Sequence, residues 1–440
     1  MYNRAKSESE FSDQTVCTKG MVINMRKCRI GVVGIGRGSM MWNYCKDADN
    51  AELVAICDKW EQGLENVKKE LGTGGISYYT DYDEFLKHDM DAVMLANYAT
   101  EHAPFAIKAM EAGKSVISEV LPCQTMAEAV ALIECVERTG KVYCYAENYC
   151  FMGAPHEIRK KYLEGALGTF EYGEGEYLHN CEPIWTDITY GERDHWRNSM
   201  SAFFYCTHSA GPLIHITGMR PARVTGFECP FNTRMARMGA RAGHTAIEMV
   251  TFEDGSIFKS IHGVGPSKNS IWYTVYGSKG RMESAREDAG TGGVSHVYEY
   301  LDSAEGADDA ELKNYFPEMD ETAKHYGHGG SDFYCLHGAI ERIMGDTDAE
   351  YIDVFEALDM WMCGHFGYLS VLDGGVPKEI PDLRKKSERD KYRDDRRCTD
   401  PKVGKEQTLP SYSAGNPDIP DEIYDARRRE WKRANGISDD

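Results

Sequence analysis

Apolar residues near the start of the chain alternate between two patterns. The runs Cys28–Gly34, Glu52–Cys57, Asp91–Ala96, Ser115–Ser118 and Lys141–Ala146 are too short for helices and rich in β-branched residues, which predicts buried strands. Between them, Met40–Ala48, Glu101–Ala112 with Gly113 as its stop, and Thr125–Arg138 ended by Gly140 read as helices. Strands and helices that alternate through short connections predict an α/β fold with a doubly wound parallel sheet at its N-terminal end.

Beyond Asn148 the pattern lengthens. Thr169–Leu178, Ala222–Glu228, Thr245–Phe252, Ser256–His262, Trp272–Tyr276 and Val297–Leu301 alternate as strands with one covered face, and Asp254-Gly255 makes a hairpin of the third and fourth. Pro155–Glu164, Ala210–Thr217, Asp332–Met344 and Asp353–Leu372 read as helices, the last packing back on the first domain. The expected second domain is therefore α+β, with a large open, mainly antiparallel sheet. Residues 1–26 are expected to be a polar flexible leader, 27–150 the first domain, 151–383 the second, and 384–440 a charged arm that is solvated or drapes a partner. The glycines near Gly290–Gly293 read as a surface loop.

Composition narrows the partners. Fifty basic against 71 acidic residues give a net charge of −21, which repels phosphate backbones and anionic lipid, so nucleic acid and membrane are not expected. No apolar stretch approaches the roughly 18–20 residues of a spanning helix, and the first 26 residues lack the apolar core of a secretion signal. Fourteen scattered cysteines contain no Cys-x-x-Cys pair and read as free thiols of a reducing compartment, so the cytoplasm is expected.

The first strand runs into Gly34-Ile35-Gly36-Arg37-Gly38-Ser39 and a helix, and the second ends at Asp58. Strand, glycine turn, helix, strand and acid form the dinucleotide-binding arrangement of a Rossmann domain. Gly34 permits the turn, Gly36 lets backbone N–H groups approach a pyrophosphate, and Ser39, with Gly38 before it, takes the third small position. Asp58 would accept from the adenosine ribose hydroxyls and repel a 2′-phosphate, which favours NAD over NADP. Arg37, Asn97, His102, Glu119 and Glu147, in the turn or at strand ends, are the remaining candidate cofactor contacts. There is no His-Glu-x-x-His and no paired cysteine, and no metal is predicted.

Several motifs from Cys28 to Leu383 carry a resemblance. The glycine turn, Ala109–Lys114 and Glu119 at a strand end resemble the glucose-fructose oxidoreductase/inositol dehydrogenase/MocA (Gfo/Idh/MocA) family of NAD(P)-dependent sugar oxidoreductases. Glu119-Val120-Leu121-Pro122 stands where most members have Glu-Lys-Pro, so the lysine that steadies or deprotonates the sugar hydroxyl is absent. Glu147–Cys150, Tyr177-Leu178-His179, His195-Trp196-Arg197, Tyr205–Pro212 and His328–Asp332 are similar to the NAD-dependent glycosidases of that superfamily, which remove terminal α-N-acetylgalactosamine.

That resemblance implies a redox route in which tightly bound, recycled NAD oxidises the sugar at C3. The C2 proton then becomes acidic, the C1 substituent leaves, water adds and the hydride returns. Tyr205 and His208, just before the helix Ala210–Thr217, are the first candidates for the C3 hydroxyl and the C2 proton. Tyr177 and His179, two apart on a strand, share a face and suit a second acid/base pair. Glu147 would orient the nicotinamide or a sugar hydroxyl, Arg197 would hold the substrate or its leaving group, and Trp196 and His195 line the sugar. A plain sugar or inositol dehydrogenase releasing NADH, and a non-catalytic NAD-binding sensor, are the alternatives. A homo-oligomer through the exposed sheet face is expected.

Overall fold

The computed structural model describes residues 26–286 and 294–438. The leader through residue 25 and the glycines 290–293 lie outside the described residues.

The N-terminal unit contains β1 (Cys28–Val33), α1 (Ser39–Asp47), β2 (Ala51–Cys57), α2 (Glu61–Leu71), β3 (Ser77–Tyr79), β4 (Ala92–Leu95), α3 (His102–Glu111), β5 (Ser115–Ser118), α4 (Met126–Thr139) and β6 (Tyr143–Tyr145). All six strands are parallel, in the order β3-β2-β1-β4-β5-β6. The order reverses between β1 and β4, and the crevice outside their carboxyl ends is where such sheets bind ligands. Ile30, Val32, Ile56, Val93 and Ile117 are fully buried, as the apolar runs require. The sequence pattern leaves out α2 and β3. Strand β3 is three half-buried residues, Ser77-Tyr78-Tyr79, at the sheet edge and has no apolar run to announce it.

The second unit contains α5 (Gly153–Leu163), β7 (Phe170–Leu178), α6 (Thr207–Thr217), β8 (Pro221–Glu228), β9 (Ala246–Phe252), β10 (Ile257–Gly263), β11 (Ser270–Gly277), β12 (Gly280–Ser284), β13 (Val297–Leu301), β14 (Lys313–Tyr315), α7 (Ser331–Met344), α8 (Val354–Leu372) and β15 (Lys378–Glu379). Its nine strands run β14-β13-β12-β11-β7-β10-β9-β8-β15, antiparallel except for the central β10–β7 pair. Helix α8 packs on β8, α4 and β6, joining the two units.

Helix α6 lies on the covered face of this sheet. A Cβ on Gly175 of β7 would stand 1.9 Å from the Ser209 carbonyl oxygen, so only glycine admits the helix this close. The helix begins at Thr207, three residues before the start that the apolar pattern sets at Ala210. His208 is therefore inside its first turn.

The tail is a second correction. It packs on its own chain rather than standing as a solvated or partner-draping arm. Arg389 is buried against Glu137 at 2.7 Å, Arg393 forks onto Glu134 at 2.6 and 2.9 Å, and Tyr368 Oη donates to the Pro410 carbonyl at 2.6 Å. A final helix, α9 (Asp421–Ala434), buries Tyr424 and Trp431. Interleaved charges here make specific ion pairs with the body, a use that charge pattern alone does not distinguish from solvation.

Candidate active site

The glycine turn is shaped from both sides. Gly34 has φ +93°, and a Cβ there would fall 2.3 Å from the Ala96 carbonyl oxygen. A Cβ on Gly38 would fall 2.1 Å from the Gly34 carbonyl oxygen and 2.6 Å from Val32. Gly38 is thus the residue that lets α1 close on β1, the role first given to Ser39, which is half-buried and only opens the helix. Gly36 meets nothing within 4 Å. Packing therefore accounts for Gly34 and Gly38, whereas the bareness of Gly36 leaves room for a ligand at the head of α1. Asp58 accepts from Ile35 N–H and Trp60 N–H at 2.9 and 2.8 Å, which holds the acid beside the turn. These residues fit a dinucleotide pyrophosphate and its ribose.

Arg37 joins this turn to the second unit. Its Nε donates to Glu119 at 2.7 Å, and its two Nη atoms fork onto Asp332 at 3.0 and 2.7 Å. Asn148 donates to Asp332 at 2.8 Å and His328 Nδ1 lies 3.1 Å from it. Burial would raise the Asp332 carboxyl, but hydrogen bonds from His328 and Arg37 outweigh it and hold the group well below the usual carboxylate range. Arg37 and Glu119 are therefore committed to one another, and Asp332 is the hub. Asp332 stands in the His328–Asp332 motif, yet its partner lies 295 residues away, and no local signal reveals that pairing.

The proposed proton-transfer residues converge at the head of α6. His208 Nδ1 lies 2.7 Å from Glu147 Oε1, and Glu147 is fully buried. A carboxylate can only accept, so the proton sits on Nδ1 and Nε2 is left as the basic atom. Glu147 also accepts from Tyr149 N–H at 3.3 Å, and its buried Oε2 has no hydrogen-bond partner among the described residues. The sequence reading of Glu147 as a contact to nicotinamide or sugar thus gains a closer function, that of holding the imidazole.

Tyrosines wall the His208 ring. Tyr149 and Tyr177 centroids lie 4.4 and 4.6 Å away, and Tyr205 stacks at 5.7 Å. Tyr273 Oη donates to the His208 carbonyl. Tyr177 Oη and His179 Nδ1 are 2.9 Å apart, as their shared strand face predicts. Burial pushes the Tyr177 phenol up, so it donates, and burial, then the neighbouring His208 and His328, lowers His179. His179 is thereby neutral near pH 7 and presents an Nε2–H. One imidazole accepts and another donates within a single aromatic chamber, the separation of roles that acid/base chemistry needs.

Arg197 points into the same chamber, with Nε 3.3 Å from Tyr205 Oη and its guanidinium 4.3 Å from the Trp196 ring. His195 is buried in a separate aromatic wall, 5.0 Å from Tyr98 and 5.9 Å from Tyr190. Burial, then Arg197, pushes His195 down to about 3. His102 is also buried, its Nδ1 2.8 Å from the Leu121 carbonyl, which ties α3 to the segment after Glu119. Asn97 donates to Glu101 at 3.3 Å and keeps a buried Oδ1 without a partner. Tyr149, Asn148, Tyr98 and Tyr273 complete the walls; Asn148 and Tyr149 lie in a quoted motif, while Tyr98 and Tyr273 carry no local signature.

Two family models match separate segments of the chain. Residues 28–147 match the oxidoreductase family model with an NAD-binding Rossmann fold, the Gfo/Idh/MocA model. Residues 228–389 match the C-terminal domain of glycosyl hydrolase 109. The chain is 25% identical over 403 residues to glycosyl hydrolase family 109 protein 1 of Bacteroides thetaiotaomicron, covering 81% of this chain and 84% of the relative. It is 24% identical to an alpha-N-acetylgalactosaminidase of Bacteroides fragilis, covering 81% and 91%. Its fold superposes on myo-inositol 2-dehydrogenase from Lactobacillus plantarum with a TM-score of 0.63 at 17% identity, over 81% of this chain and 100% of that one. An Agrobacterium radiobacter oxidoreductase in complex with NAD+, L-tartaric acid and magnesium gives 0.66 at 14% identity, over 80% and 98%.

Proposed function

We propose, from a Gfo/Idh/MocA-type NAD-binding domain joined to a glycosyl hydrolase 109-type C-terminal domain, that this chain is an NAD-dependent enzyme that cleaves a glycoside through transient oxidation of its sugar. The observation that carries the reading is that Glu147-held His208 and Tyr177-held His179 share one aromatic chamber around Tyr177. Bound NAD would supply a hydride acceptor, and later a hydride donor, at the sugar C3.

The chain's own residues supply proton movement and orientation. His208 Nε2 takes the C3 hydroxyl proton, while Glu147 stabilises the imidazolium that forms. Tyr205 Oη, which accepts from Arg197 Nε, is the base assigned to the C2 proton, and the C1 substituent leaves as that proton passes to it. His179 Nε2–H protonates the departing oxygen, and in reverse sense accepts a proton from the water that adds at C1. C2 then regains a proton and the C3 ketone returns to alcohol, so the balance is hydrolysis. The lysine absent at Val120-Leu121 is replaced in this scheme by His208.

A recycled cofactor must stay bound through turnover, and Asp58 favours NAD over NADP because a 2′-phosphate would meet its charge. The name of the Bacteroides fragilis relative makes terminal N-acetylgalactosaminides the first substrates to try. The 13 described cysteines are unpaired, which suits a reducing, cytoplasmic compartment. The outer sheet face exposes Phe227 by 52% and Tyr276 by 37%, and we assign it to a homo-oligomer contact. Light scattering of the purified protein tests that contact, and a monomer at micromolar concentration rejects it. The activity itself is tested by incubating the protein and NAD with α- and β-glycosides. Release of sugar that requires NAD yet accumulates no NADH is expected, whereas a keto-sugar formed with equal NADH makes the chain a simple dehydrogenase.

A further inference from the structure

Helix α9 lies beyond both matched segments, yet it reaches the cofactor domain. Trp431 is 8% exposed and its ring sits 6.2 Å from Trp60, two residues past the ribose-binding Asp58. The same ring meets Tyr190 edge-on at 5.8 Å. Tyr190 lies 6.5 Å from Tyr98, which follows Asn97 at the end of β4. One aromatic series, Trp60, Trp431, Tyr190 and Tyr98, therefore spans from the end of β2 to the end of β4. The adenosine of a dinucleotide held by Gly36 and Asp58 lies between those two strand ends.

The far side of this series is rigidly anchored. Arg428 donates to the Tyr190 carbonyl at 2.7 Å and lies over Trp431 at 4.7 Å. Arg427 donates to Thr186 at 2.9 Å and to the Arg237 carbonyl at 2.9 Å, and Tyr424 Oη donates to the Gly239 carbonyl at 3.0 Å. A Cβ on Gly191 would fall 2.5 Å from the Arg427 carbonyl oxygen, so the two backbones are in direct apposition. Hydrogen bonds from Arg428, Arg427 and Tyr424 hold α9 to residues 186–239, and Trp431 meets the cofactor domain at the ring of Trp60, which is 39% exposed. The helix is thus hydrogen-bonded on one side and in aromatic contact with the cofactor domain on the other.

We infer that α9 is a clamp over the adenosine half of bound NAD, with Trp431 and Trp60 as its closing contact, and that it sets how slowly the cofactor leaves. This rests on the NAD-binding reading and explains how the cofactor stays in place while sugars come and go. Adenine is the ligand chemistry that fits, since a planar base can stack within an aromatic wall.

The test is the dissociation rate of NADH, followed by its fluorescence after displacement with excess NAD, in the full chain and in Trp431→Ala and Trp60→Ala. Both variants should release NADH at least tenfold faster, about 1.4 kcal/mol of lost retention. Trp60→Ala removes a half-exposed ring and leaves the anchors of α9 untouched, so it reports even if Trp431→Ala folds poorly. ADP-ribose should bind more weakly to both variants, while nicotinamide mononucleotide should bind as it does to the parent. Release within twofold of the parent in Trp60→Ala overturns the clamp and leaves NAD binding standing. Failure of the parent itself to bind NADH overturns the cofactor reading and the clamp together.

Discussion

Glu147 and His208 lie 61 residues apart in sequence and 2.7 Å apart in space, and the proton-transfer account rests on that bond. A helix glycine eases the fit, because a Cβ on Gly211 would stand 3.3 Å from Glu147 Cγ, a tight contact. His208→Ala should lower turnover at least ~100-fold, the range of lost acid/base catalysis, with NADH affinity unchanged. Glu147→Gln keeps the shape but removes the charge that stabilises the imidazolium. It should lower kcat more than it raises KM, and unchanged kinetics in both variants would remove the pair from the mechanism. At this scale the sequence exposes residue types and motif membership: His208, Tyr205, Tyr177, His179 and Arg197 do gather in one chamber. It does not expose partners. The fork of Arg37 on Asp332 and the grip of Glu147 on His208 are tertiary facts, and periodicity carries no information about them.

Elements place these residues by close approach. Strand β1, the turn and α1 meet at Gly34 and Gly38, where a Cβ has no room, while Gly36 between them faces open space. Two alanine substitutions therefore have opposite signatures. Gly38→Ala should cost about 1–3 kcal/mol through overpacking and lower the Tm. Gly36→Ala should leave the Tm within ~1 °C, since ordinary surface changes are nearly neutral, yet weaken NADH at least tenfold by filling the pyrophosphate cradle. Equal NADH affinity in Gly36→Ala and the parent would dismiss the turn as a cofactor site. The long strands and helices are legible because their apolar residues repeat at the right period. Strands β3 and β14 are three residues each and half-buried or exposed, too short for a pattern to form, and β12 is five residues set tightly after β11. The first turn of α6 escapes because Tyr205 to Ser209 mix polar and aromatic residues, whose burial comes from the chamber and not from an amphipathic stripe.

The whole molecule hides an unusual number of uncharged titratable groups. Burial pushes His102 and His365 down to about 4 and His195 and His262 down to about 3, and it pushes Glu248 up to about 8 and Asp359 up to about 7. Between pH 6.5 and 4 the unfolded chain binds a proton on each of these four histidines that the folded chain does not. In the same window the two carboxyls hold protons in the fold that the unfolded chain has released. Among these six groups four outweigh two, so together they take up protons on unfolding and lower stability on acidification, by about 3 kcal/mol per pH unit at most. Above pH 6.5 the histidine contribution is complete, while the two carboxyls go on lowering stability as pH rises, until their cost is fully reached once they ionise near 7 and 8. Thermal unfolding across pH 4–8 should show the Tm dropping below pH 6.5, and a flat acid limb would contradict the buried neutral histidines. The charged tail shows the limit of composition at this scale: the same interleaved charges serve for solvation or for docking, and only the positions of Glu134, Glu137 and Thr186 decide for docking. What the two domains do together is settled most directly by one measurement, the reaction of a cleaved glycoside with this protein and NAD in D2O, followed by NMR. Deuterium at C2 of the released sugar, a requirement for NAD and no net NADH are expected. Cleavage without deuterium at C2, or a keto-sugar accumulating with stoichiometric NADH, would contradict the redox route.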